Sequence, residues 1–408
     1  MKAVIYGAGN IGRGFMGQIF FQSGYDLTFI DTALPVIEGL QREGRYPLRI
    51  LGGGGSKDIW IEGASVINGS NGEDAARAIA CADIMATAVG VRVLPLIAPV
   101  LAAGLKKRFA RNERPLNIII CENLADADTI LGGLIKEHLT GEEQKILDER
   151  VGLVEASIGR MVPIQTAEMQ DGNPLRVCVE SYGFLLVDKA AFKGEIPSLV
   201  GMCPFDNFDF YILRKLFLHN MGHGICAYLG MIRGDNFIYQ AVSHGGILFI
   251  AQNAMMESAL ALSARYNTSL TDLYYHIQDL LRRFSNKALG DTCARVGADV
   301  IRKLGNKDRF IGAFRCCIGE GINPVFISAG TAAALCCYLK EADIPQSREA
   351  AQKALMEVSG LEGNSVDAEK ILSFHSLLSS YFHGGDFENV MEKIIKIAYD
   401  FGQKPDII

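Results

Sequence analysis

The stretch Gly7-Ala8-Gly9-Asn10-Ile11-Gly12-Arg13-Gly14 constrains this chain more than any other. It directly follows the short apolar run Lys2–Tyr6 (KAVIY) and opens a helical pattern that continues to about Gln22. A GxGxxG string alone is weak evidence. Between a strand and a helix it becomes specific, because each glycine then has a physical task. Gly7 permits the tight turn, Gly9 lets the backbone approach a pyrophosphate, and Gly12 lets helix and strand pack closely. The helix start offers unpaired N–H groups and a positive dipole end, so Asn10 and Ile11 join the glycines as expected cofactor contacts.

A second apolar run, residues 27–30, ends at Asp31, which stands 24 residues after Gly7. An acid there hydrogen-bonds the adenosine ribose and repels a 2′-phosphate. Thr32-Ala33-Leu34 supplies no cation to offset that repulsion, so NAD is expected rather than NADP. Ala88-Val89-Gly90 ends a later strand-like run, and the same topology sets it beside the cofactor.

Strand-like runs at 83–88, 117–121 and 152–156 alternate with helix-like stretches at 73–82, 94–107 and 126–138. Alternation over about 150 residues predicts an α/β fold, a Rossmann-type doubly wound parallel sheet. Residues 45–66 interrupt the rhythm. Their glycine run at 52–55 reads as a turn between two short strands, a hairpin at the sheet edge. Residues 173–188 alternate again and predict added strands. The segment 194–204 is rich in Gly and Pro and marks a boundary. From Phe208 to Phe401 the apolar period is helical. The expected organisation is a Rossmann-type NAD-binding domain with added strands over 1–194, then a mostly α-helical substrate and catalytic domain over 195–408.

Length supports that division, because 408 residues exceed one ordinary core. Apolar residues make up 49% and charged residues 21%, which is globular composition. The net charge is -6 and no Lys/Arg block interleaves with aromatics, so no nucleic-acid partner is expected. The ten cysteines are scattered, and the pairs Cys316/Cys317 and Cys336/Cys337 lack metal-knuckle spacing. Free thiols suit a reducing compartment, so a cytoplasmic location and no metal site are expected. No leader is expected ahead of the first strand. Apolar runs such as 326–339 are too short for a bilayer, so no membrane partner is expected.

The helical half carries one constellation with chemical content. Residues 211–229 read YILRKLFLHNMGHGICAYL and place Lys215, Asn220 and His223 in the pattern K-x4-N-x2-H. On an α-helix Asn220 lies about 140° and His223 about 80° around from Lys215, so the three can share a face. A buried amine with a lowered pKa serves as general base on an alcohol. An amide and an imidazole donate to an oxygen where negative charge develops. His219 lies at about 40° on the same wheel, so periodicity leaves both histidines open.

The string GAGNIGRGFMG, the Lys215/Asn220/His223 spacing and the later Arg283-Phe284-Ser285-Asn286 occur in order over both halves. Together they resemble the polyol-specific long-chain dehydrogenase (mannitol dehydrogenase) family. That resemblance implies Lys215 as general acid/base, with Asn220 and His223 orienting and polarising the substrate oxygen. It implies Asn123 as a substrate or cofactor contact, and Arg295 and Lys303 as contacts to substrate oxygens. Arg302 and Arg309 are further cations that would suit a phosphate. Where the family carries Val-Asp-Arg before a proline, this chain reads Ile158-Gly159-Arg160-Met161-Val162-Pro163, with Glu155 and Glu168 as the acids available to compensate. The run Gly297-Ala298-Asp299-Val300 also departs from the family's pattern.

The implied reaction is NAD-dependent interconversion of a sugar alcohol or its phosphate with a ketose, foremost mannitol 1-phosphate and fructose 6-phosphate. An unphosphorylated polyol or a hexuronate is the alternative substrate. A non-catalytic NADH sensor would lack the Lys215 set, and a decarboxylating hydroxyacid dehydrogenase would release carbon dioxide. The resemblance implies a monomer or weak homo-oligomer.

Overall fold

The computed structural model describes residues 1–402 except 53–54, 112–113, 125, 363–364 and 383. Its strands are β1 (Lys2–Tyr6), β2 (Asp26–Asp31), β3 (Arg45–Gly52), β4 (Gly55–Glu62), β5 (Ser65–Asn68) and β6 (Ile84–Thr87). They continue as β7 (Leu116–Ile120), β8 (Val151–Ile158), β9 (Val177–Glu180), β10 (Leu185–Asp188) and β11 (Met202–Phe205).

In β1 four consecutive residues, Ala3 to Tyr6, are buried, as in a strand covered on both faces. Ala3 and Ile5 join one apolar cluster with Phe29, Ile119, Val154, Phe15 and Phe20. Val4 and Tyr6 join another with Ile30, Met85, Ile118, Leu101 and Leu131. The two-residue period of a strand sends alternate side chains to opposite cores.

The main sheet runs β11-β10-β8-β7-β6-β1-β2-β5. From β8 to β5 every pairing is parallel. β10 runs antiparallel to β8, and β11 parallel to β10. β1 stands where the chain order reverses. Open α/β sheets take their ligands at such a switch point, outside the carboxyl ends of the strands.

The hairpin expected at the sheet edge goes elsewhere. β3 and β4 pair antiparallel from Arg45 and Glu62 to Gly52 and Gly55, and β9 adds to β3 in parallel. The result is a separate three-stranded sheet. Its apolar residues Tyr46, Leu48, Ile61 and Val177 bury in the cluster that holds Phe15 and Phe20, which draws it over that face of the main sheet. The tip of the expected turn, residues 53–54, lies outside the described residues.

The chain divides into two compact units, Met1–Tyr211 and Ile212–Ile408. Composition marked the boundary near residue 194, but β11 pairs with β10 and carries the first unit further. In the second unit the helices Met221–Arg233, Gly245–Tyr266 and Val325–Glu341 pack on one another. Gly330 permits a close crossing, since a Cβ there would lie 2.5 Å from Ile225. Gly245–Tyr266 is long and apolar enough to cross a membrane by length and composition. In the fold its Ile247, Ile250, Ala251, Ala254 and Met255 are buried.

The same helix carries Glu257, whose carboxylate accepts the Phe326 and Ile327 N–H groups at 2.9 Å each. These are first-turn donors of Val325–Glu341 that no intrahelical carbonyl can satisfy. Removal from water nonetheless raises the Glu257 pKa from its ordinary 4.5 to about 8. A pKa raised on folding contributes stability that is full below the unfolded value and is lost as pH rises through the folded one. The melting temperature should therefore fall between about pH 4.5 and 8. Glu257→Gln should flatten that decline in calorimetric scans. An unchanged slope in the variant would show that Glu257 does not drive it.

Candidate active site

In the first unit the chain leaves β1 through Gly7, whose φ is +102°. A Cβ on Gly7 would stand 2.3 Å from the Ala88 carbonyl oxygen, and one on Gly12 would stand 1.8 Å from the Gly7 carbonyl oxygen. Neither position admits a side chain. A Cβ on exposed Gly9 would meet nothing within 4 Å among the described residues, which leaves room for a phosphate. Exposed Asn10 reaches the Pro163 carbonyl at 3.5 Å, and Ile11 packs against the core. Gly12–Met16 winds as a π-helical turn, with the Gly17 N–H bonding to the Gly12 carbonyl five residues back. Buried Arg13 ties the loop down by donating from Nε to the Ala8 carbonyl at 2.6 Å.

Asp31 closes the turn from the end of β2. Its Oδ2 accepts the Ala8 N–H at 2.6 Å, and its Oδ1 accepts Thr32 N–H at 2.7 Å and Ala33 N–H at 2.8 Å. A carboxylate has about four acceptor sites, so a place for a ligand hydroxyl remains. The Ala88-Val89-Gly90 turn after β6 is held by Glu122, just past β7. Val89 N–H donates to Oε1 at 2.9 Å and Gly90 N–H to Oε2 at 2.8 Å. Asn123 follows and is exposed.

The departure at Gly159 has a local explanation. A Cβ there would lie 3.1 Å from the Tyr182 ring, so the aromatic side chain takes the room. Arg160 donates to the Gly14 carbonyl at 2.9 Å and to Gln18 at 2.7 Å, which fixes the π-helical turn from behind. Glu155 accepts the Ala127 N–H at 2.6 Å, and burial pushes its pKa up to about 7. Glu168 sits in the first turn of the short helix Ala167–Gln170.

In the second unit Lys215–Asn220 is also π-helical, and the Met221 N–H bonds to the Leu216 carbonyl. The 140° separation expected from an α-helical wheel therefore does not hold. With backbone bonds spanning five residues, Lys215 and Asn220 stand about one turn apart on the same side. Both are partly buried. His223 follows one turn later and is buried, with its ring stacked on Phe284 at 4.6 Å and 8°.

Asp291 was not among the residues expected in the site. In the structure it is buried and accepts from Arg295 Nε at 2.7 Å. Its other oxygen lies 3.1 Å from His223 Nε2, although neither atom makes an aligned hydrogen bond among the described residues. Burial lowers the His223 pKa, with Asp291 opposing. A neutral imidazole facing a carboxylate carries its proton on the facing nitrogen, which leaves Nδ1 as an acceptor. His219 is also buried; burial, then the charges of Arg283 and Lys215, hold its pKa well below the ordinary value. The spacing of Asp291 four residues before Arg295 was the available signal for this pair.

The remaining cations are engaged inside the unit. Buried Lys303 donates from Nζ to the Val296 carbonyl at 2.6 Å and to the Ala298 carbonyl, and burial lowers its pKa to about 8. Arg302 pairs with Asp299 and, at 2.8 Å, with Asp308. Arg309 pairs with Asp308 at 2.9 Å. Among the described residues there is no group of three or more His, Cys, Asp or Glu that could hold a metal ion.

Two family models match the chain. The mannitol dehydrogenase Rossmann domain matches residues 1–201, and the mannitol dehydrogenase C-terminal domain matches residues 207–396. Among solved structures, a substrate-free D-sorbitol dehydrogenase superposes with a TM-score of 0.77 at 15% identity, covering 96% of this chain and 95% of that one. Pseudomonas fluorescens mannitol 2-dehydrogenase, in a ternary complex with NAD and D-mannitol, gives 0.74 at 15% identity, covering 97% and 94%. At such identity these structures speak to the fold.

The Asp31 brace makes a prediction that needs no ligand. Asp31→Ala should speed exchange of the Ala8 amide by about tenfold or more, since a hydrogen bond to a charged group is lost. It should also lower the melting temperature by a few degrees. Unaltered protection of Ala8 would mean the carboxylate does not hold the turn.

Proposed function

The chain belongs to the mannitol dehydrogenase family, and on that premise we propose that it is an NAD-dependent oxidoreductase interconverting a sugar alcohol and its ketose. The observation that carries this reading is the presence of two separate kits in one chain. One is a glycine turn braced by Asp31, with open space before Gly9. The other is Lys215, Asn220 and His223 gathered along one π turn and the helix after it.

NAD fits the first kit. The Gly7–Gly12 backbone would hold its pyrophosphate, Asp31 its adenosine ribose, and Ala88-Val89-Gly90 and Asn123 its other half. When bound, NAD supplies hydride acceptance and donation. The protein's own work is on the hydroxyl. Lys215 takes its proton on oxidation and returns it on reduction. Asn220 donates to the oxygen as charge develops there. His223, held between Phe284 and Asp291, offers Nδ1 to a neighbouring substrate hydroxyl. Arg295 and the remaining donor of Lys303 are the candidates for contacts to the other hydroxyls.

Two substrate pairs compete. The sequence resemblance favours mannitol 1-phosphate and fructose 6-phosphate, as in the compact mannitol-1-phosphate 5-dehydrogenases. The ion pairs of Arg302 and Arg309 with Asp299 and Asp308 favour an unphosphorylated polyol, because those cations are already neutralised. The two named neighbours act on unphosphorylated sorbitol and mannitol by their descriptions.

NADH oxidation should be assayed with fructose 6-phosphate, fructose, fructuronate and tagaturonate side by side. Turnover at least tenfold faster with one phosphorylation state decides between the pairs, and no turnover with any of the four would remove the proposal. Lys215→Ala should lower kcat by about 10²- to 10⁴-fold while NADH binding, read by fluorescence titration, is retained. Near-wild-type kcat in that variant would exclude Lys215 from proton transfer.

A further inference from the structure

Glu122 has no part in the chemistry above, yet its carboxylate is buried and both of its oxygens are taken by the same turn. The donors are consecutive backbone N–H groups, Val89 and Gly90, and Gly90 shapes the turn with φ +89°. Ala88 and Val89 of that turn lie directly against Gly7. At the base, the Cys121 N–H donates to the Thr87 carbonyl at 2.9 Å, so β6 and β7 leave the sheet in step. Consecutive N–H groups aimed at one point make a nest for an anion. Here the chain's own acid fills that nest, which closes it to a phosphate and fixes a negative charge at the carboxyl ends of β6 and β7.

The location gives that charge a consequence. With Asp31 ending β2, the adenosine half of a dinucleotide lies on the β2 side of β1. The other half then falls on the far side of the switch point, over β6 and β7. Resting on the reading of this unit as an NAD site, we propose that Glu122 is a positioning residue of the nicotinamide half. It clamps Ala88-Val89-Gly90 as a wall of that half, and its charge favours the cationic oxidised ring over the neutral reduced one. A clamp alone would act on both redox forms equally. The charge separates them.

The test uses the full chain with NAD and NADH as probes. Dissociation constants for both are measured calorimetrically for wild type, Glu122→Gln and Glu122→Asp, with amide exchange of Val89 and Gly90 followed in the free protein. In Glu122→Gln the constant for NAD should rise about tenfold and that for NADH less than about threefold, while the two amides exchange faster. Glu122→Asp keeps the charge but shortens the reach. It should free the amides while holding the ratio of the two constants within about twofold of wild type. Equal weakening of both forms in Glu122→Gln, or persistent protection of the amides, overturns the proposal. If Glu122→Gln does not fold, a changed ratio in Glu122→Asp overturns it instead. A wild-type protein that binds neither dinucleotide removes the NAD reading, and this proposal with it.

Discussion

The Ala88 carbonyl oxygen stands 2.3 Å from where Gly7 would carry a Cβ, and much of the first unit is arranged around that approach. β1 and β6 are neighbours in the sheet, so the segments leaving them meet at the switch point. Any side chain at Gly7 would push the Ala88 turn away, and one at Gly12 would push away Gly7 itself. Two acids then hold the converging loops from outside. Asp31 reaches in from β2 to Ala8, and Glu122 from β7 to Val89 and Gly90. Bonds from backbone N–H groups to a charged carboxylate are among the stronger hydrogen bonds a fold can make, and they locate otherwise mobile turns.

The second unit solves a different problem, which is how to keep imidazoles and cations close together away from water. His219 and His223 are both buried, with Arg283, Arg295, Arg309 and Lys215 acting on them electrostatically. Burial and positive neighbours hold the two rings toward the neutral form. Asp291 is a buried acid bonded to Arg295 and lying against His223. The π turn matters because it widens the backbone by one residue per bonded ring. That change of pitch brings Lys215 and Asn220 into line, which an unbroken α-helix would not do.

Much of this was legible along the chain. The fingerprint after KAVIY, the acid at the end of the second apolar run and the switch to a helical period each depend on near neighbours in sequence. The chain therefore displayed them directly, and the family they resemble is the family the chain belongs to. Other features were not legible in this way. The hairpin at residues 45–62 has the alternation of any two strands, and nothing local says that β9, more than a hundred residues later, will be its partner. Glu122 looks like an ordinary surface acid until its partners are known, because they lie 32 and 33 positions away. The spacing of Asp291 to Arg295 says nothing of His223, 68 positions away. Spacing alone left Arg302 and Arg309 open to a phosphate. Their partners Asp299 and Asp308 lie only one to six positions away, so the acids are close by in sequence. The geometry of a short helix and its exit decides that each pair closes.

By itself the sequence determined the layered architecture of the first half, the helical second half and the residue types available for chemistry. All of these follow from periodicity and from what glycine, an acid or an amine does at a given step of a strand or helix. Only the tertiary structure decided which carboxylates brace the turns, where the first unit ends, and which strand completes the second sheet. Those outcomes are set by contacts between distant segments, whose energies exist only once the strands have found their order and the helices their neighbours.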